Sequence, residues 1–449
     1  MSKPITNAHI HVFDSRCAPE RFFRVLPVGI VRRIARPLKS VLMSRAGTAI
    51  IRGLSWVVSS IHDSGSIARF LAFTKIGSER SQDDVYQLAL NAGKKYDAAI
   101  RLIGLTLNMD HMDSVPSDPL NYKNYATQLE EIRDIKRRSP EHFYPFLCID
   151  PRHRSGRDLR DWVEDQLTDG FEQKGKLYRY FYGLKIYPAL GFFPFDPALE
   201  EVYAFAEEYG IPIMTHCTRG GSQYVGDDIE QLIPRDIRTI LMRPEIENDA
   251  FLNATTEIQA RIDGYYHNDR KWIENSRIGD NDKACDLFTH PQNYIPVLEK
   301  FPKLKICLAH MGGEGEFYHT EELAKRWEWK EGKVRGFRDL IKIRQVDSVR
   351  WLDRIRELMQ QYPSLYTDVS YTVSYFEKTR IVDQLRDFAN TLDRSEKLLG
   401  HRILFGTDFF MTEQEKKEGD LYGLMVRSEG LKNWVDGFCR ENVEGYVGW

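Results

Sequence analysis

The chain of 449 residues has no uninterrupted apolar run of about 18 residues, so no transmembrane helix and no stable membrane insertion are expected. It also lacks an excess of charge. Its 63 Lys and Arg stand against 66 Asp and Glu, a formal net charge of -3, whereas a general nucleic-acid binder is normally basic overall. The expected partner is therefore a small-molecule substrate. Cysteine is sparse and irregularly spaced: the six, at positions 17, 148, 217, 285, 307 and 439, form no Cys-x-x-Cys pair and no compact disulfide frame. They read as free thiols. After Met1 the chain lacks the basic-then-apolar order of a secretory leader. Together these absences give the expectation of a cytoplasmic protein. Internal repeats and low-complexity tracts are missing too.

What is present is an ordinary globular composition, 42% hydrophobic and 29% charged, with enough apolar side chains for a large core. Eight short runs rich in Ile, Val, Leu and Phe recur: Ile5 to Phe13, Ile100 to Leu107, Phe143 to Ile149, Gly183 to Tyr187, Pro212 to His216, Leu304 to His310, Leu365 to Val369 and Arg402 to Asp408. Helix-like stretches separate most of them, the signature of parallel βαβ units. In the clearest unit, Leu199, Val202, Phe205 and Tyr209 share a helical face, Gly210 ends the helix and Pro212 opens the next strand. A second unit begins at Pro291, where Tyr294, Val297 and Leu298 mark an apolar face, and stops at Phe301-Pro302. Eight such strands predict an α/β fold, a single (β/α)8 TIM barrel over residues 1–449 with its chemistry at the carboxyl ends of the strands.

Long insertions are expected after strands 1, 5 and 6. The first, 17–95, is basic between Arg21 and His62 and carries Val25, Ile30, Val31, Ile34, Leu38, Val41 and Leu42 in an amphipathic pattern. It reads as a helical lid or a dimer contact, which would make the protein a homo-oligomer; transient membrane-surface contact is the lesser reading. The second, 222–282, is polar and mixed in charge, an excursion carrying substrate contacts or packing on the barrel wall. The third, 314–342, reads as a solvated helix-loop segment.

Of 12 histidines, four fall within or at the ends of these strands. His9 and His11 lie in Asn7-Ala8-His9-Ile10-His11, His216 follows Met214-Thr215, and His310 lies in Leu308-Ala309-His310-Met311-Gly312-Gly313. Two strand residues at i and i+2 face the same way, roughly 6 to 7 Å apart, a spacing that suits one divalent cation between two imidazoles. The eighth run closes with Gly406-Thr407-Asp408. A barrel would bring all five side chains to one mouth.

This ordered set resembles the amidohydrolase superfamily, and within it the amidohydrolase-related group that includes aminocarboxymuconate-semialdehyde decarboxylase-like enzymes. The resemblance implies that His9, His11, His216 and Asp408 hold one divalent metal. Mixed N and O ligands suit Zn2+ best, with Mn, Fe or Co as alternatives. It further implies that His310 acts as general acid/base and that Asp408 also accepts a proton from water. Lys185 stands where some relatives carry a carboxylated lysine, and a second metal would require that carboxylation; otherwise it remains an ammonium paired with a carboxylate in the mouth, where it is also a candidate substrate contact, or is structural. Arg152 and Arg219, at strand ends, are candidate anchors for a substrate carboxylate, since guanidinium matches it bidentately. For Tyr187, Asp368 and Tyr371 the structural reading is favoured, and His290 reads as a helix cap. His267 lies in the second insertion and is left out of the site.

The leading expectation is a metal-dependent hydrolase of a small, carboxylated amide, lactone or ester, using metal-activated water. The alternative is a nonoxidative decarboxylase or hydratase of a small unsaturated or aromatic acid. A noncatalytic barrel scaffold is the remote third reading.

Overall fold

The computed structural model describes residues 3–19, 81–117, 122–241, 249–267, 287–318, 350–414 and 416–449. Eight parallel strands form one sheet in chain order: β1 (Thr6–His11), β2 (Arg101–Leu105), β3 (Phe146–Ile149), β4 (Gly183–Ile186), β5 (Ile213–Thr215), β6 (Ile306–Leu308), β7 (Leu365–Asp368) and β8 (Ile403–Leu404). The two edges meet. Ala8 N donates to Phe405 O at 2.8 Å, Asp408 N to His9 O at 2.8 Å and His11 N to Phe409 O at 2.6 Å, so the first and last strands are joined and the barrel closes. The expected fold class is therefore the observed one. Each strand is shorter than its apolar run because the runs continue into turns at the mouth.

Closure removes the exposed edges and buries the strands on both faces. Inside the barrel Ile103, Leu105, Phe146, Met214, Cys307 and Leu404 pack together. The last helix, Asn442–Val447, closes the amino-terminal end by adding Val443 and Tyr446 to that interior. Outside, helices cover the sheet with their apolar faces. Glu200–Tyr209 buries Val202 and Phe205 and ends at Gly210, whose φ of 64° is left-handed, as the sequence pattern predicts. Tyr209 departs from that pattern: at 61% exposure it lies off the buried face.

Two findings refine the expected insertions. Helix Gln82–Gly93, inside 17–95, buries Val85, Tyr86 and Ala89 and is the barrel helix between β1 and β2. The basic segment 21–62 lies outside the described residues. Within 222–282, helix Asp249–His267 buries Ile258 and Ile262 and packs on helix Ile295–Lys300, the wall-packing arrangement. Most of 314–342 lies outside the described residues. A hairpin, Gly170–Gln173 with Lys176–Arg179, sits between β3 and β4 and is antiparallel. It was not expected, because its run is too polar to read as strand. Among the described residues no helix is long and apolar enough to cross a membrane.

Candidate metal centre

β1 does not alternate regularly. Asn7 pairs with Leu102 but Ile10 pairs with Gly104, three steps against two, so one extra residue sits in β1. A bulge of this kind re-aims side chains. Ala8 thereby joins the barrel interior while His9 and His11, one and three residues further on, both turn to the mouth. Their rings lie 5.2 Å apart.

Asp408 meets both. Its Oδ1 lies 3.4 Å from His9 Nε2 and 3.1 Å from His11 Nε2. His310 and His216 close the other side: His310 Nε2 is 3.2 Å from His216 Nδ1, and the His9 and His310 rings lie 4.8 Å apart. All five residues are at least 94% buried. His9, His310 and Asp408 each bring a ligand atom within 4.8 Å of the other two, the only such group of three among the described residues. His11 and His216 adjoin it through Asp408 and His310 respectively.

Each expected imidazole ligand has one nitrogen committed to an acceptor, which fixes the other as a lone pair. His9 Nδ1 donates to Asp368 Oδ2 at 2.8 Å, leaving Nε2. His11 Nδ1 faces Leu105 O at 3.4 Å, leaving Nε2. His216 Nε2 donates to Gly220 O at 2.7 Å, leaving Nδ1. Gly221, with φ of 121°, lets that loop lie on the ring: a Cβ there would sit 2.8 Å from His216 Nε2. The Tyr187 ring stacks on His216 with centroids 4.4 Å apart.

The consequence is a cluster of acceptors facing one another. Asp408 Oδ1 and His9 Nε2 are buried with no hydrogen-bond partner. Buried lone pairs without donors are costly, and a cation between them removes that cost. Bonds of about 2.1 Å to a tetrahedral ion place ligand atoms about 3.4 Å apart. The His9–Asp408 and His11–Asp408 distances of 3.4 and 3.1 Å match that spacing, so these residues fit a divalent metal.

Electrostatics hold the imidazoles in their metal-binding, neutral form. Burial, then the charge of Lys185, holds His9 well below the ordinary histidine range. Burial first and Lys185 next lower His216 to about 3. Burial and then His9 and His216 depress His310. Burial raises the Asp408 carboxyl, opposed by neighbouring His11 and by Lys185. Neutral imidazoles are what a metal needs as ligands.

Sequence reasoning under-weighted Asp368. Fully buried at the end of β7, it receives His9 Nδ1 on Oδ2, and His310 N at 2.8 Å and Ser370 N at 3.0 Å on Oδ1. The Ser370 hydroxyl donates to the same Oδ1 and lies 2.8 Å from His310 Nδ1. An aspartate ending the strand between β6, which leads to His310, and β8, which leads to Asp408, was the available signal.

The three proposed substrate contacts are placed differently. Lys185 on β4 is fully buried, and its Nζ has no hydrogen-bond partner. It is not paired with a mouth carboxylate as expected; burial lowers it to about 8, opposed by Asp368, Cys148 and Asp408. Arg152 is bound to Asp150 through Nε at 2.9 Å and Nη2 at 2.6 Å. Arg219 donates from Nε to Glu316 at 3.0 Å and lies over the Trp351 ring at 4.4 Å, 8% exposed. His290 is a cap, its Nδ1 accepting from Gln292 N at 3.2 Å.

A family model described as amidohydrolase matches residues 140–332. No curated protein matches the chain in sequence. Among solved structures the chain is similar to a TIM-barrel protein of Bordetella bronchiseptica, at 15% identity over 99% of each chain with a TM-score of 0.42. It is similar to 5-carboxyvanillate decarboxylase from Novosphingobium aromaticivorans complexed with manganese and 4-hydroxy-3-methoxy-5-nitrobenzoic acid, at 12% identity over 89% of this chain and 93% of that one, TM-score 0.44. A third is a probable 2-pyrone-4,6-dicarboxylic acid hydrolase from Acinetobacter baumannii with citric acid bound, at 10% identity over 100% of each chain, TM-score 0.43.

Proposed function

We propose that the chain is an amidohydrolase-superfamily barrel, as the family match in residues 140–332 suggests, and a metal-dependent hydrolase of a small, carboxylated amide, lactone or ester. The observation that carries this reading is the unsatisfied pair His9 Nε2 and Asp408 Oδ1, buried and 3.4 Å apart beside His11. His9, His11, His216 and Asp408 would hold the metal, with Zn2+ preferred by the donor set and Mn, Fe or Co as alternatives. A divalent metal there would polarise a substrate oxygen and lower the pKa of water.

The protein's own groups supply the rest. Asp408, raised by burial, is a base able to accept a proton from the attacking water. His310, held by Ser370 at Nδ1 and facing His216 at Nε2, carries a proton between the mouth and its neighbours. Arg152 keeps Nη1 outside its Asp150 pair and is 20% exposed, which suits a carboxylate on the substrate. Lys185, fully buried with an unpartnered Nζ, supplies positive charge near Asp368 and Asp408. Arg219, sandwiched between Glu316 and Trp351, holds the β5 and β6 loops together. Five described cysteines, all free and buried, suit a reducing cytoplasm.

The test is to incubate metal-loaded protein with lactones, amides and unsaturated or aromatic acids while following acid release and carbon dioxide together. Hydrolytic acid release that disappears in Asp408→Ala supports the proposal. Carbon dioxide without a hydrolytic product replaces it with decarboxylation.

A further inference from the structure

Behind the metal-holding side chains, on the seam between β1 and β8, lies a second buried polar cluster that takes no part in the chemistry above. Asn7 is fully buried and uses both ends of its amide. Its Oδ1 accepts from His9 N at 3.2 Å and from Thr407 N at 3.1 Å. Its Nδ2 faces Thr407 Oγ1 at 2.8 Å, Tyr422 OH at 2.9 Å and Glu418 Oε1 at 3.2 Å. The Thr407 hydroxyl in turn donates to Glu418 Oε1 at 2.8 Å.

The placement matters because the break in register between Asn7 and Ile10 falls here. A bulge leaves backbone groups out of the ladder, and buried ones must find partners elsewhere. The Asn7 side chain provides the partner for His9 N, while His9 O accepts from Asp408 N at 2.8 Å. Thr407, the next residue Asn7 binds, immediately precedes Asp408, whose φ is 61°. One amide therefore holds the backbone of His9 and of Thr407, the residue before Asp408, from opposite sides of the seam.

We propose that Asn7, braced by Thr407 and Glu418, is a positioning residue that fixes the β1–β8 register and so brings His9 and Asp408 to one point. This rests on the reading of His9 and Asp408 as metal-holding. Glu418 acts as a neutral acid: it is buried among Asn7, Thr407 and Tyr422, and its Oε2 has no partner. Burial, with Glu413 and Asp408 adding to it and the Thr407 and Tyr422 hydrogen bonds opposing it, raises this carboxyl to about 8. Glutamine keeps the accepting oxygen and lacks the charge, so it should substitute for it.

The experiment measures Zn2+ affinity of the apo-protein by competition with a chromogenic chelator, well below each variant's unfolding midpoint. Wild type, His9→Ala, Asn7→Leu, Glu418→Leu and Glu418→Gln are compared. Asn7→Leu and Glu418→Leu should weaken Zn2+ binding by about 10- to 100-fold, the range for lost outer-shell support, and Glu418→Gln should stay within about threefold. Rescue by glutamine separates positioning from mere loss of packing. Retention of wild-type affinity by Asn7→Leu, when His9→Ala has lost it, overturns the inference and leaves the metal reading intact. Wild-type affinity in His9→Ala overturns the metal reading itself. Should Asn7→Leu not fold, the Glu418 pair decides: equal affinities in Glu418→Leu and Glu418→Gln refute the brace.

Discussion

Replacing Asp368 by Asn should flip the His9 tautomer. The two carboxylate oxygens of Asp368 serve different donors: Oδ2 takes His9 Nδ1 at 2.8 Å, and Oδ1 takes His310 N, Ser370 N and the Ser370 hydroxyl. Asparagine offers one oxygen and one NH2, so two orientations compete. With NH2 toward Oδ1's position, two buried backbone N–H groups lose their acceptor, at about 1–3 kcal/mol each. With NH2 toward His9, the only adjustment is for His9 Nδ1 to become the acceptor and move its proton to Nε2. The second orientation wins, and it removes the lone pair that faces Asp408 Oδ1. Loss of such an orienting partner typically weakens metal binding by about 10- to 100-fold, or about 1.4 to 2.7 kcal/mol. Chelator competition reads the affinity, and 15N shifts of the His9 ring in the apo-protein read the tautomer. Zn2+ affinity within threefold of wild type, with the His9 proton still on Nδ1, would refute the reasoning.

Other perturbations probe independent parts of the structure. Gly406→Ala would place a Cβ 2.6 Å from His9 Cβ and 3.0 Å from Ser370 Cβ, atoms anchored to backbone, so it should cost about 1–3 kcal/mol of stability and lower metal affinity; unchanged values in both assays would contradict the packing. Arg402, 8% exposed, donates to Tyr362 O, Leu365 O, Met359 O and Asp393 Oδ2, so Arg402→Met should lower urea-unfolding stability by about 3–5 kcal/mol, and a loss below 1 kcal/mol counts against it. Glu418 has a folded pKa raised from 4.5 to about 8, so the folded state holds a proton that the unfolded chain releases. Its contribution is complete below pH 4.5 and is lost as pH rises through about 8, with a slope of at most about 1.4 kcal/mol per pH unit. The stability difference between wild type and Glu418→Gln should therefore change across that window, and parallel pH curves would exclude the raised pKa. Exhaustive chelation should abolish turnover and Zn2+ or Mn2+ should restore it; persistent turnover after chelation would remove the metal from the reaction.

The barrel was legible because strand periodicity and helix punctuation survive in one sequence: all eight apolar runs contain a barrel strand. His9, His11, His216, His310 and Asp408 were legible because a parallel barrel sends every strand's carboxyl end to one mouth. Asp368 and Asn7 were harder to read. Their roles depend on hydrogen bonds to residues 359 and 400 positions away, which no local pattern encodes. Arg152 and Arg219 looked like anchors because arginine at a strand end suits a carboxylate. Each has a carboxylate partner, Asp150 two residues before it and Glu316 on the neighbouring β6 loop. The bulge in β1 was hidden for a different reason: His-x-His reads as regular alternation, yet Ala8 before it also faces inward.

That irregularity belongs to a wider pattern. Among the described residues six non-glycine positions have positive φ, and four of them lie at the carboxyl ends of β6, β7 and β8: His310, Met311, Tyr371 and Asp408. Such conformations cost about 1–3 kcal/mol each and persist only where surrounding bonds over-determine them. Here those bonds can be named. Asp368 Oδ1 takes the backbone N–H of His310, and His9 O takes that of Asp408. Asn7 Oδ1 holds the N–H groups on either side of that second contact, His9 and Thr407. The strain is concentrated on residues whose side chains must leave the strand direction to meet. A regular barrel would direct His310 and Asp408 along the lattice of the sheet; the left-handed turns bring them to His9, and the buried carboxylate and amide behind them hold that arrangement in place.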